Sequence, residues 1–243
     1  LPKGLVDVGD VKMKTRTWRG IIAGVMVVLI GLPFAASAQL IGLSDLNSDL
    51  FVDITPGGDT MSDWIVDGVS HLYSMEYFYR VGPAGPESSL DQIGPMVGYV
   101  AGDSNPFTDP NDDFVTVLYT NTGVNVEMKV SLQGGPDGTR HSDVTHQLKI
   151  TNTGVGPLDF HLFQYMDFDL MATAVDEYVE IFTDSGTGLP DEVLQTDGNW
   201  TVSEVVVPDA SHGQVGYFAQ LINLMQDGDP TTLNDDFGPL TNG

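Results

Sequence analysis

Residues 124–132 read VNVEMKVSL, in which every second residue is apolar and the residues between them are polar. Successive side chains of a β-strand point to opposite faces, so this period of two predicts a strand with one buried and one solvated face. We therefore expect Val126, Met128 and Val130 to be buried together on the apolar face.

A second stretch, VTHQLKIT at residues 144–151, has the same period. Between the two stretches lies GGPDG at residues 134–138, which is typical of a turn because Gly and Asp readily adopt the required backbone angles. The two stretches are predicted to pair as an antiparallel hairpin closed near residues 134–138. Leu148 and Ile150 should then be buried on the same face as the apolar residues of the first strand.

Working outward from this hairpin, short alternating segments separated by Gly and Asn turns continue along most of the chain. Many short strands at this spacing predict an all-β fold, an antiparallel β-sandwich that forms a single domain. One short helix is expected at residues 218–226. The further strand candidates are residues 51–54, 71–81, 96–101, 114–120, 158–170, 178–183, 200–207 and 214–219. Residues 158–170 are expected to have an apolar face and a largely acidic face.

The N-terminal part of the chain has the pattern of a secretory leader. Basic residues in MKTRTWR at 13–19 precede an apolar run at residues 20–34 and the small-residue exit AASA at 35–38. The alternative is a membrane anchor, but the uncharged run is shorter than the roughly 20 residues that a spanning helix needs. The sequence predicts an upstream gene-prediction extension at residues 1–12, a signal peptide at residues 13–38 and a β-sandwich domain at residues 39–243.

The charge of the chain is strongly acidic. The sequence has 34 acids against nine Lys and Arg, and two of the acids and five of the bases precede residue 39. The predicted mature chain of 205 residues therefore carries 32 acids and four bases, a net charge of −28. This field repels nucleic acid and anionic headgroups, so we expect no nucleic-acid partner, and membrane attachment only through the leader or a C-terminal anchor. A solvated acidic surface that maintains solubility is the simplest explanation of the charge.

Four stretches carry a resemblance to a known group. They are YFYR at residues 77–80, TNTGVGPL at 151–158, YMDFDL at 165–170 and PTTLN at 230–234. The chain resembles the exported β-rich proteins of environmental bacteria that carry a Pro-Glu-Pro C-terminal sorting signal (PEP-CTERM). The resemblance implies a place at the cell envelope surface or in the extracellular matrix, and it implies no catalytic residues. The sorting signal itself is not in this sequence, and we expect the chain to be truncated after Gly243.

The sequence shows no set of residues typical of a known catalytic mechanism. It contains no cysteine, which excludes thiol catalysis and thiolate metal sites. Asp184-Ser185-Gly186-Thr187 matches the core of an aspartic protease loop, but two such loops are needed, and a polar turn is the favoured interpretation. The five histidines lack close metal-ligand spacing, and His146 is predicted to be a core histidine with a hydrogen-bond partner. An enzymatic activity is therefore not expected.

One loop has the composition of a calcium site. Carboxylate and amide oxygens are the ligands that calcium prefers, and residues 103–113 hold six such side chains in a loop with two prolines. Calcium is the possible cofactor that the sequence predicts; the alternative is a solvated Asp/Asn/Pro turn. The candidate ligands are Asp103, Asn105, Asp109, Asn111, Asp112 and Asp113.

Two hypotheses for function follow. The first is an exported cell-surface or extracellular-matrix protein whose β-sandwich is a structural or adhesive module. The alternative is a carbohydrate-binding or carbohydrate-processing protein on a related sandwich. The expected partners are extracellular polysaccharide or other matrix components. Core packing is the favoured interpretation of the aromatic residues, and the row of Tyr73, Met75, Tyr77 and Tyr79 is the best candidate for an exposed face if the protein binds polysaccharide. A binding protein should show aromatic and carboxylate groups together in a groove, whereas a structural module should have buried aromatics and shallow grooves.

Overall fold

The structure, a computed structural model, describes residues 39–173 and 177–241, and residues 2–7 by their backbone. The predicted signal peptide, residues 13–38, lies outside the described residues. The proposed boundaries at residues 12 and 38 therefore stay predictions.

Within the described residues the chain forms seventeen strands and one α-helix, and none of its helices is long and apolar enough to cross a membrane. Two 3₁₀ turns occupy Leu90–Gln92 and Leu170–Ala172. The elements are β1 (Pro2–Asp7), β2 (Leu40–Asp45), β3 (Ser48–Asp53), β4 (Met61–Val66), β5 (Val69–Ser70), β6 (Ser74–Val81), β7 (Ser88–Ser89), β8 (Met96–Gly102), β9 (Phe114–Asn121), β10 (Val124–Gly134), β11 (Ser142–Asn152), β12 (Phe160–Asp167), β13 (Tyr178–Thr183), β14 (Pro190–Asp197), β15 (Trp200–Val205), β16 (His212–Tyr217), α1 (Phe218–Gln226) and β17 (Leu240–Thr241).

The strands form three antiparallel sheets. The large sheet has the order β16-β1-β12-β6-β4-β3-β2, with β5 beside β4 and β7 beside β6. The two smaller sheets have the orders β11-β10-β9-β8 and β15-β14-β13-β17. One apolar core contains residues from all three sheets, among them Ile41, Val126 and Val193. The prediction of an all-β, antiparallel, sandwich-like fold is confirmed.

The predicted hairpin is present, with its strands in the expected register. β10 pairs with β11 so that Met128 faces Leu148 and Val126 faces Ile150, and the chain turns between residues 134 and 142. Val126, Met128 and Val130 are buried, as predicted. Leu148 and Ile150 lie on the expected face but are only half-buried, which corrects the prediction for these two residues. The reason is that β10 is central in its sheet, whereas β11 is its outer strand.

The helix α1 spans the predicted residues. Its position also explains why the prediction for the second face of residues 158–170 was wrong. Residues 158–170 were expected to have an acidic, solvated face, yet Phe163, Tyr165 and Asp167 are all buried. α1 covers this second face of the large sheet, where Phe163 and Tyr165 pack with Leu221 in a second apolar cluster. β12 is therefore covered on both faces.

Seven of the seventeen described strands were not predicted. Four of them are β1 and the two-residue strands β5, β7 and β17. The other three are β2, β4 and β14, whose sequences are LIGLSD, MSDWIV and PDEVLQTD. Acidic and small residues interrupt the apolar alternation in each, so the local pattern is weak. Pairing with neighbouring strands stabilises these segments.

Candidate functional site

A cleft of about 640 Å³ opens between the outer strands of the two smaller sheets, β11 and β15, above the large sheet. We call it the β11–β15 cleft and define it by the residues of these two strands and the large-sheet residues beneath them. His146 and Leu148 lie on one side, and Val202 and Glu204 lie on the other. Its floor includes Trp64, Met75, Tyr77, Leu162, Gln164 and Phe168.

Two polar pairs lie on these walls, which mix apolar with polar side chains. The side-chain amide of Gln164 donates a hydrogen bond to Glu204, with 2.5 Å between Nε2 and Oε1. The hydroxyl of Tyr77 lies 3.0 Å from Nδ1 of His146. The predicted hydrogen-bond partner of His146 is therefore present, but His146, like Leu148, is half-buried in the cleft wall and not in the core. Each pair joins the large sheet to one of the cleft-forming strands.

The alternation of β15 explains why Glu204 points into the cleft. Trp200, Val202 and Glu204 are the less exposed residues of this strand, and Thr201 and Ser203 between them are exposed. Side chains two residues apart on a strand share a face, so Glu204 belongs to the inward row.

Gln164 is placed by the same rule on β12. It lies on the same face of that strand as Leu162 and Met166, which belong to the main core. An amide in this inward row needs a hydrogen-bond partner, and Glu204 provides it.

Burial controls the protonation of the polar groups in the cleft. It raises the pKa of Glu204 to about 7, against an opposing effect of the hydrogen bond from Gln164. Burial also lowers the pKa of His146 to about 4 and, together with the charge of Glu204, raises the pKa of Tyr77. At neutral pH the cleft therefore presents a neutral imidazole, a phenol, an amide and a carboxyl group that is partly protonated. All four groups can take part in hydrogen bonds, and among them Glu204 carries negative charge in its ionised fraction.

The rim of the cleft holds its nearest cation. The guanidinium of Arg140, one of the residues that line the cleft, lies 5.1 Å from the centre of the Trp200 ring. The centre of the His71 ring lies 4.3 Å from the centre of the Trp200 ring. Trp200 thus contacts both side chains, which stabilises the start of β15 beside the cleft.

The residues of the predicted calcium loop are engaged by local hydrogen bonds. The buried carboxylate of Asp113 accepts from the amide and hydroxyl of Ser104, at 2.8 and 2.6 Å. The carboxylate of Asp103 accepts from the amide of Asn105 at 2.8 Å. These contacts are those of a self-satisfied polar turn.

The second half of that loop behaves in the same way. The carboxylate of Asp109 accepts from the amides of Leu46 and Asn111, and these two bonds lower its pKa. Asn111 and Asp112 are exposed. Among the described residues, no group of three or more acidic or histidine side chains is placed to hold a metal ion. The calcium site stays a prediction.

The protease-like stretch forms a turn after β13. The carboxylate of Asp184 accepts hydrogen bonds from the amides of Thr187 and Gly186, and these bonds lower its pKa. Its backbone also pairs with Leu189 and Gly188 across the turn. The polar-turn interpretation of this motif is confirmed.

The aromatic row predicted as a sugar-binding face is not on the surface. Met75 and Tyr77 are buried and Tyr79 is half-buried, whereas Tyr73 is 60% exposed. β6 is a central strand of the large sheet, with the main core on one face and Phe78 in the second apolar cluster on the other. The proposal of an exposed row is therefore wrong, although Tyr77 does reach the β11–β15 cleft.

Two residues of the cleft, Glu204 and Gln164, were not singled out by sequence analysis. A signal for both is present, since each is a polar residue in an otherwise apolar inward row, in the stretches WTVSEV and FHLFQYMD. A buried polar side chain usually has a specific partner, so such an interruption marks a candidate site.

The fold and the cleft define an all-β protein of antiparallel, sandwich-like architecture with a ligand-sized opening between two of its sheets. No protein-family model matches the chain, and neither does any curated protein or solved structure.

Proposed function

We propose that this protein is an exported, non-catalytic β-sandwich module of the cell surface or extracellular matrix, and that it binds a small neutral saccharide in the β11–β15 cleft. The observation that carries the proposal is the combination of a 640 Å³ cleft with two hydrogen-bonding pairs on apolar and aromatic walls. Ligand pockets typically have this size and this mixture of apolar walls with a few placed polar groups.

Binding is favoured over hydrolysis by the carboxylates of the cleft. Glycoside hydrolysis ordinarily needs two carboxyl groups about 5–10 Å apart, on either side of the bond that breaks. Among the described residues that line the cleft, Glu204 is half-buried and its carboxyl group accepts a hydrogen bond from Gln164, whereas the side chain of Asp143 is 64% exposed. The arrangement supplies one carboxyl group in a protected position, which suits recognition of a hydroxyl.

The charge of the chain selects against anionic ligands. The predicted mature chain has a net charge of −28, and Glu204 adds negative charge inside the cleft above neutral pH. A neutral sugar has an apolar face for Trp64 or Phe168 and hydroxyl groups for Gln164 and Glu204. Export is proposed from the leader pattern at residues 13–38 and from the resemblance to the PEP-CTERM group.

Binding is expected to be measurable with neutral probes. We expect N-phenyl-1-naphthylamine to gain fluorescence in the cleft, and at least one neutral disaccharide from a panel of β- and α-linked sugars to displace it. Leu148→Trp should weaken probe binding by about tenfold or more, because the indole fills space that the ligand needs.

Gln147→Trp is the matched control for this experiment. Gln147 is the neighbouring residue of the same strand and is exposed on the outer face, so its replacement should leave binding unchanged. If no probe or neutral disaccharide binds, or if only acidic sugars do, the saccharide proposal fails and a structural module remains.

Export can be tested separately on protein recovered from the envelope or the medium of the producing cells. N-terminal sequencing is expected to begin at Gln39, because the small residues before it form the cleavage site. A mature product that retains the apolar run of residues 20–34 would exclude removal of the leader.

A further inference from the structure

The N-terminal strand β1 occupies a slot inside the large sheet, between β12 and β16. On one side Gly4–Asp7 pairs with residues 163–166 of β12, and on the other Pro2–Asp7 pairs with all six residues of β16. Both pairings are antiparallel. β1 is thus the strand that joins β16 to the rest of the large sheet.

The proposed processing would separate β1 from the mature protein, because cleavage after Ala38 releases residues 1–38 together. The inference therefore rests on the proposed removal of residues 1–38. Without β1, the edges of β12 and β16 lie about 10 Å apart, since neighbouring strands are spaced by roughly 4.8 Å.

The edges of β12 and β16 that face the slot cannot pair with each other as antiparallel strands. Because β1 is antiparallel to both neighbours, β12 and β16 run parallel to one another. Their backbone N–H and C=O groups in the slot are thus arranged for an antiparallel strand between them. Unpaired groups of this kind are costly inside a protein and attract an added strand.

The slot is covered above and below. On one face Leu162 and Met166 belong to the main core, and on the other Phe163 and Tyr165 pack beneath α1. The helix lies close over β16, since a Cβ added at Gly216 would meet Leu221 at 3.0 Å. A strand in the slot is therefore enclosed on both faces, which favours small and apolar residues in it.

We propose that in the mature protein this slot binds an extended segment of a partner polypeptide by β-strand addition. The structure assigns the chemistry of the segment: about six residues, antiparallel to β12 and β16, with no proline in its centre and with the small-apolar-apolar pattern of Gly4-Leu5-Val6. A second copy of this chain is disfavoured as the partner, because each mature copy carries a net charge of −28. A neutral or basic segment is favoured, and the present occupant contains Lys3.

The test uses the 243-residue chain with a site-specific protease sequence in place of residues 30–36. The folded chain is cleaved, the N-terminal piece that contains β1 is removed by gel filtration in mild denaturant followed by dialysis, and the remaining chain is mixed with a fluorescent synthetic peptide of residues 1–10, LPKGLVDVGD. We expect saturable binding of one peptide per cleaved chain, and binding at least about tenfold weaker to the uncleaved chain, whose slot is filled. A peptide with Leu5→Pro and Val6→Pro should lose at least about tenfold in affinity, because consecutive residues direct their amides to opposite neighbours.

Hydrogen exchange of residues 163–166 and 212–217 reports on the slot directly. The amides that face β1, every second one in each segment, should lose protection when β1 is released and regain it with the peptide, while those of β10 and those of β12 that face β6 stay protected throughout. If the amides that face β1 stay protected without peptide in a monomer, the slot has closed; if they are protected in a dimer, a second copy fills it. Either result overturns the proposal, as does loss of protection in β10, which would make β1 an obligatory part of the fold. Because the cleavage is engineered, failure here is distinct from failure of the proposed export.

Discussion

Replacing Glu87 by Ala is expected to lower the free energy of unfolding by about 3–5 kcal/mol, the usual cost of leaving one partner of a buried ion pair alone. The side chain of Glu87 is fully buried and contacts the guanidinium of Arg80, whose side chain is 8% exposed. The same carboxylate accepts hydrogen bonds from the amide and hydroxyl of Thr231, at 3.0 and 2.9 Å. The group therefore joins the end of β6 to the segment that follows α1.

Urea unfolding measures this effect, and two further variants define its origin. Glu127→Ala removes a partner of Lys149 from a pair 4.0 Å apart whose side chains are 46% and 72% exposed, so a change below about 1 kcal/mol is expected. The double variant Arg80→Met with Glu87→Leu should be more stable than Glu87→Ala, because no charge is left buried. A single Glu87→Ala variant as stable as Glu127→Ala would contradict the assignment.

Glu204→Gln is expected to remove a fall in stability of about 2–3 kcal/mol between pH 5 and pH 8. Burial raises the pKa of Glu204 in the folded protein to about 7 from an ordinary 4.5. Its contribution to stability is therefore full below pH 4.5 and is lost as the pH rises through 7, where the buried carboxyl group must ionise. Gln keeps the shape and the hydrogen bond with Gln164 but does not titrate.

The measurement is the free energy of unfolding of the wild type and of Glu204→Gln at several pH values. The difference between the two proteins removes the contributions of the other titrating groups. Glu76 is one of these, since burial and its hydrogen bond with Asp59 raise its pKa to about 8. His146→Gln is the matched control, because burial lowers the pKa of His146 to about 4. The contribution of His146 to the free energy of unfolding is present above pH 6.5 and is lost as the pH falls through 4. His146→Gln should therefore change the pH dependence of stability only at acidic pH. Parallel curves for wild type and Glu204→Gln from pH 5 to 8 would refute the buried carboxyl group.

The salt bridge of Glu87 shows what a sequence pattern leaves open. Arg80 ends the stretch YFYR and Thr231 lies in PTTLN, two of the stretches that carry the family resemblance. They are 151 residues apart in the chain, yet the guanidinium of Arg80 also donates to the backbone carbonyl of Thr231 at 3.4 Å. Each stretch is recognisable locally, but their meeting depends on how α1 returns the chain to the large sheet.

The predicted calcium loop, residues 103–113, shows what composition alone can predict about a site. Its density of carboxylates predicts a shared set of calcium ligands, which stays a prediction, and the structure shows that Asp103, Asp109 and Asp113 each accept amide hydrogen bonds. Composition fixes which donor atoms are present within a loop, whereas the backbone path decides whether they converge.

The sequence by itself determined the class of fold, the β10–β11 hairpin with its register, and the helix at residues 218–226, because hydrophobic period and turn chemistry act over a few neighbouring residues. Only the tertiary structure decided the β11–β15 cleft. Gln164 and Glu204 are 40 residues apart, and Tyr77 and His146 are 69 residues apart. Alternation predicts that such residues point inward, but it does not say which sheets lie beside each other. The arrangement of the sheets follows from their packing around one core. This packing places the outer edges of β11 and β15 near each other, above one face of the large sheet.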